Sequence, residues 1–148
     1  MLLDTDILID LLRGKKEARD FLRSLPEDSV QCCSVITVAE IHSGMREGER
    51  QRTAELIDSL LVLPVTREIA ETAGHFRRAY KGDTASPEGD RARGTRRTSK
   101  ANELPKLPDL ELDDCLIAAT AAVEELELAT RNRRHYPMPE VKVRSATY

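Results

Sequence analysis

Short apolar runs recur along the chain with helix-length intervals between them. Met1–Leu3 is an apolar triplet of strand type, and Ile7, Leu8, Leu11 and Leu12 then repeat at helical spacing. Gly14 is placed to end that helix. Ala18, Phe21, Leu22 and Leu25 form a second helical face, closed by Pro26. Val30–Ser34 reads as a buried strand, and from Thr37 the pattern turns helical again through Val38, Ile41 and Met45. A helix over about 50–61, a strand in LVLPV and a helix over about 67–80 follow. Near the carboxyl end, DDCLIAATAAVEEL predicts a helix, LELAT a strand, TRNRRHYP a basic turn and VKVRS a last strand.

Strands alternating with helices imply parallel pairing in an α/β sandwich. In such sheets ligands bind beyond the carboxyl ends of the strands, which is where Asp4 falls. The alternation breaks at Gly82. From there to Leu110 the chain is rich in Gly, Pro, Ser, Thr and charge, too polar to build a core of its own. Across Arg77–Lys106 nine Lys and Arg stand against four acids, so a phosphate-binding arm and a solvated surface loop both remain open.

Composition narrows the class. At 148 residues the chain is read as one domain, 1–148, with a basic insertion at about 82–110. Aromatics are 3% and Trp is absent, so Leu, Ile, Val and Ala must fill the core. The net charge of −3 provides no global field for nucleic acid. No apolar run reaches the ~18 residues of a membrane span, and the amino-terminal stretch, interrupted by Asp4, Asp6 and Asp10, does not look like a signal peptide. Cys32, Cys33 and Cys115 lack CxxC spacing and are expected as buried thiols, which suits a cytoplasmic protein.

Each acid has a structural explanation when taken alone. Asp4 suits an Asx turn, Asp6 the first turn of a helix, and Asp10 a solvated helix face. Thr37-Val38-Ala39-Glu40 fits a capping box, and Asp113 or Asp114 fits the cap of the helix that follows. His42, His75 and His135 lack metal-ligand spacing and are expected at the surface. Taken together the acids read differently. Asp4 ends the first strand, Glu40 lies early in the helix after the second, Asp114 opens a helix, and Asn132 follows LELAT. In a parallel sheet these positions can meet at one edge, where three carboxylates repel unless a cation neutralises them. All-oxygen ligands suit Mg2+ or Mn2+, and such an ion can hold a phosphate for hydrolysis. Arg131, Arg133 and Arg134 follow directly on that edge and are expected to contact substrate phosphates.

LLDTDILIDLL, SVITVAEIHSGM and DDCLIAATAAVEELELATRNRRHY resemble the blocks of PIN-domain ribonucleases, specifically the VapC toxins of toxin–antitoxin pairs. The resemblance covers the chain except about Gly82–Leu110. It implies a PIN-like three-layer sandwich with a short-stranded, mostly parallel sheet, and a metal-dependent endoribonuclease with a cognate antitoxin. The family's acids fall on Asp4, Glu40 and Asp114, and its fourth polar position on Asn132, with Thr130 and Asp6 in support. A homodimer is implied as well. A local motive for it is the apolar cluster Leu56, Ile57, Leu60, Leu61, Val62 and Leu63.

Two rivals come from other classes. DTDIL also resembles the nucleophile motif of haloacid-dehalogenase-like phosphatases, with Asp4 as nucleophile, Ser34 as second motif and Asp113-Asp114 as the later acidic pair. That family's pair should follow a strand, whereas here it opens a helix. The other rival is a non-catalytic RNA-binding domain whose acids only cap helices.

Overall fold

A computed structural model describes residues 1–80 and 110–148. The insertion expected at about 82–110 therefore lies, Leu110 apart, outside the described residues. Five strands form one sheet: β1 (Leu2–Leu3), β2 (Cys32–Ser34), β3 (Leu61–Leu63), β4 (Leu128–Thr130) and β5 (Val143–Ser145). Their order is β3-β2-β1-β4-β5, and every neighbouring pair is parallel. Six helices accompany them: α1 (Thr5–Leu12), α2 (Lys16–Arg23), α3 (Val35–Gly44), α4 (Arg50–Asp58), α5 (Arg67–Ala79) and α6 (Leu112–Val123). This is the expected short-stranded sandwich.

Side chains alternate across the pleat and divide the core in two. Leu2, Cys32 and Leu128 face a cluster with Ile69, Ala73 and Phe76 of α5 and Cys115, Ile117 and Ala118 of α6. Leu3, Cys33 and Ala129 face Ile7 and Leu8 of α1 and Ile41 of α3. The central strands β1, β2 and β4 are covered on both faces, which explains why they read as plain apolar runs. All three cysteines are free and buried, and burial pushes the Cys33 thiol up to about 11. They are packing residues.

Two local expectations need correction. The helix expected from Thr37 begins at Val35, with Ser34 as its N-cap accepting from the Ile36 amide at 3.3 Å. Thr37 is therefore an interior, fully buried helix residue. No Thr37–Glu40 capping box forms, and Glu40 needs another role. Asp10, expected in solvent, is 1% exposed. It pairs with Lys15 at 2.7 Å and Arg131 at 2.5 Å, as burial of a carboxylate requires. Gly14 does stop α1, in the left-handed region at φ +74° where a side chain is strained.

The sheet order reverses direction at β1. Connections to β2 and β3 run one way from it, and β4 and β5 lie on the other side. The crevice beyond the ends of β1 and β4 is thus a topological switch point, the favoured place for a ligand in an open parallel sheet.

Candidate active site

Asp4 stands directly after β1 and caps α1. Its Oδ1 accepts the Thr5 amide at 2.8 Å and the Tyr136 hydroxyl at 2.9 Å. The Asx-type role considered from sequence is real, but it occupies only one carboxylate oxygen. Asp4 is 6% exposed, and that burial raises its pKa. Hydrogen bonds from Thr130, Tyr136 and Thr5 oppose the rise, while the charge of Asp114 adds to it.

Glu40 reaches from α3 to the start of α1, where the Thr5 hydroxyl donates to its Oε2. The Thr5 and Thr37 hydroxyl oxygens lie 3.2 Å apart, so this face of α3 is tied to α1 by side chains. Burial first, then the neighbouring Asp113 and Asp4, push Glu40 up to about 7 against the Thr5 hydrogen bond.

Asp114 lies in the first turn of α6, whose N-cap is Glu111. Its pKa is raised by burial, and the nearby His135 lowers it in part. The His135 Nδ1 is 3.2 Å from Asp114 Oδ2, and its Nε2 is 2.8 Å from Asn132 Nδ2. His135 therefore bridges an acid of α6 to the turn after β4. Spacing along the sequence missed it, since its partners lie 21 and 3 residues away on different elements. Tyr136 was missed too, being buried and 132 residues from Asp4.

The turn after β4 is fastened by α1. Asp6 Oδ2 accepts the Arg131 amide at 2.9 Å and the Thr130 hydroxyl at 3.4 Å, and Thr130 Oγ1 accepts the Asn132 amide at 2.9 Å. The other oxygen of Asp6, Oδ1, is buried without a donor. Burial, then Asp4 beside it, push Asp6 up to about 6. Arg131, grouped with Arg133 and Arg134 from sequence, differs from them in directing its guanidinium onto buried Asp10. Arg133 and Arg134 are exposed on a short 3-10 turn.

The donors are hard carboxylate oxygens on a buried Asp4 and partly buried Glu40 and Asp114, each raised by burial and by nearby carboxylates, the chemistry a divalent cation relieves. Two helix N-termini, those of α1 and α6, bring favourable dipoles to the same region. Among the described residues no three His, Cys, Asp or Glu side chains already gather into a metal-sized cluster. Mg2+ does not demand one, because it commonly takes one or two carboxylates together with waters and substrate phosphates. The residues fit such an ion in kind.

The PIN-domain family model matches residues 1–141. The chain belongs to the PIN-domain family. Ribonuclease VapC10 of Mycobacterium tuberculosis (strain ATCC 25618 / H37Rv) is 39% identical over 140 residues, 95% of this chain and 88% of that protein. Ribonuclease VapC19 of the same strain is 30% identical over 138 residues, 93% of this chain and 92% of that one. A toxin–antitoxin complex from Klebsiella pneumoniae has a chain 28% identical with a TM-score of 0.70, covering 99% of this chain and 97% of its own. VapBC-1 from nontypeable Haemophilus influenzae, 20% identical with a TM-score of 0.68 over 99% and 98% of the two chains, shares the fold.

PIN-family membership overturns the haloacid-dehalogenase alternative. Asp113 and Asp114 open α6 rather than following a strand, and Ser34 is a fully buried helix cap.

Proposed function

We propose that this PIN-domain chain is an endoribonuclease, the toxin of a toxin–antitoxin pair, with Asp4, Glu40 and Asp114 holding a Mg2+ or Mn2+ ion. The observation that supports the reading is a buried Asp4 at the β1/β4 switch point of a PIN fold, with partly buried Glu40 and Asp114 whose pKa values, like its own, are raised by burial and by neighbouring carboxylates. When bound, such a cation activates water and steadies a phosphate.

The chain's own residues prepare that site. Tyr136 and the Thr5 amide orient Asp4, and the Thr5 hydroxyl orients Glu40. His135 holds Asp114 against the Asn132 turn. Asn132 supplies a neutral polar group where a carboxylate would add charge, so less repulsion opposes an incoming phosphate. Asp6 and Thr130 tie that turn to α1. Exposed Arg133 and Arg134 are offered to the RNA backbone.

The non-catalytic alternative loses its main support, since Glu40 caps nothing. A cognate antitoxin and a homodimer belong to the same proposal, with action on RNA in the cytoplasm. Relatives bearing ribonuclease names and toxin–antitoxin titles support it. No helix among the described residues is long and apolar enough to cross a membrane. The apolar cluster that suggested a dimer is largely absorbed by the core, where Leu56, Leu60 and Val62 pack against α1 and its neighbours. Leu61 on the edge strand β3 remains 53% exposed, and Val35 and Leu112, at the starts of α3 and α6, 40% and 47%.

Incubation with total RNA, with and without Mg2+ or Mn2+, followed by mapping of cut ends, tests the activity. Discrete internal cuts that need the cation are expected. Intact RNA under every cation condition would refute the reading.

A further inference from the structure

Asp6 and Asp10 stand four residues apart on α1 and so share one helix face. Both are aimed at a single residue of the opposite turn. Asp6 Oδ2 takes the main-chain amide of Arg131 at 2.9 Å, and Asp10 Oδ2 takes its guanidinium Nη1 at 2.5 Å. Lys15 fixes the other oxygen of Asp10 at 2.7 Å. The Tyr148 ring lies 5.5 Å from the guanidinium carbon, and its hydroxyl donates to Asp10 Oδ2 at 3.4 Å. Arg131 is thus held at its backbone and at its tip by the helix that Asp4 caps. The residue after it is Asn132, whose amide group meets His135, which in turn meets Asp114.

We infer that Arg131 and Asp10 are positioning residues, not RNA contacts: their ion pair fixes the turn that carries Asn132 and His135 against the acids of α1 and α6. Asp10 itself touches none of the proposed ligands, and of its partners Lys15, Tyr148 and Arg131 it is Arg131 that adjoins Asn132. An exposed arginine awaiting a phosphate needs no buried carboxylate, and burying one without compensation is costly. The inference builds on the hydrolytic reading of the site, but its spectroscopic test does not depend on it.

The test compares the wild type with Asp10→Asn, Arg131→Gln, the double variant and Arg131→Lys. Kinetics on one cleavable RNA in Mn2+ yield kcat and KM separately. Proton–nitrogen spectra of the chelated proteins report the backbone and side-chain amides of Asn132. Each single change is expected to lower kcat by roughly 10- to 100-fold, the scale of a small misplacement, with KM and the salt dependence of RNA binding kept. The double variant should be no worse than the poorer single one, since both break one link. The Asn132 signals should move together in all of them. Arg131→Lys keeps the charge but not the planar fork and should fall between. The inference is overturned if Arg131→Gln raises KM and flattens the salt slope by about one phosphate while Asp10→Asn leaves kcat and Asn132 unmoved. If Asp10→Asn or Arg131→Gln fails to fold, Arg131→Lys decides: a moved Asn132 with lowered kcat supports the pair, and an unmoved Asn132 overturns it. A wild type that cleaves no RNA sinks the functional reading, and the Asn132 signals still decide this one.

Discussion

Replacing Glu40 by Gln keeps its shape and removes its charge. With no capping box at Thr37, this change should not unfold α3, and it relieves the burial of a carboxylate raised to about 7. The expected outcome is near-normal or higher stability in chelator, a lost thermal shift on adding Mn2+, and cleavage reduced by at least ~10²-fold, about 3 kcal/mol in the barrier. A pH series probes the same groups collectively. Asp6 and Glu40 rise from ordinary values of 3.8 and 4.5 to about 6 and about 7, and Asp4 and Asp114 shift the same way. Between those limits the folded chain holds protons that the unfolded chain has released, so stability falls as pH rises through the folded values. Melts in chelator should therefore lose midpoint between about pH 4 and about pH 7, while the gain from Mn2+ grows over the same range, since ligation needs ionised carboxylates. Asp10, held below the usual carboxylate range by Lys15 and Arg131 despite its burial, acts only at lower pH. A chelated midpoint that climbs across this range would contradict the acid cluster.

At the scale of elements, the alternation of apolar runs and helical periods was enough to place the five strands and six α-helices of the described residues. Core strands buried on both faces leave a plain apolar signal. Boundaries were less legible where two caps competed. Ser34 and Thr37 both precede helical residues, and the motif of Thr37 with Glu40 was the stronger sequence pattern, yet Ser34 ends β2 and its hydroxyl takes the Ile36 amide. Ser34→Ala should cost about 1 kcal/mol, read from chemical unfolding. A Ser34→Ala variant as stable as the wild type would contradict that cap. Asp4, Asp114 and Asn132 could be proposed from the sequence because each adjoins the end of a strand or the start of a helix, and Glu40 because it lies in the helix that follows the second strand. Asp10, His135 and Tyr136 could not, because their roles depend on contacts between α1, α6 and the turn after β4. No local period encodes contacts of that kind.

On the scale of the whole molecule, strand order decides which ends meet. The β3-β2-β1-β4-β5 arrangement puts Asp4 beside Thr130 although 126 residues separate them in sequence. The basic insertion at about 82–110 adds a charge argument of its own: shortening it should weaken RNA binding and flatten its salt dependence, because fewer counterions are released. An unchanged slope would leave the insertion without a role in binding. The central claim is that the acids at the switch point hold a cation for RNA hydrolysis and are not there to stabilise the fold. Asp114→Asn separates these roles in a single paired measurement, cleavage of a defined RNA in Mn2+ alongside thermal melts in chelator. Cleavage should be abolished while the chelated midpoint is kept or raised, since a charge leaves a set of repelling carboxylates. A variant that cleaves normally, or one whose chelated midpoint drops sharply, would make Asp114 a structural residue and contradict the account.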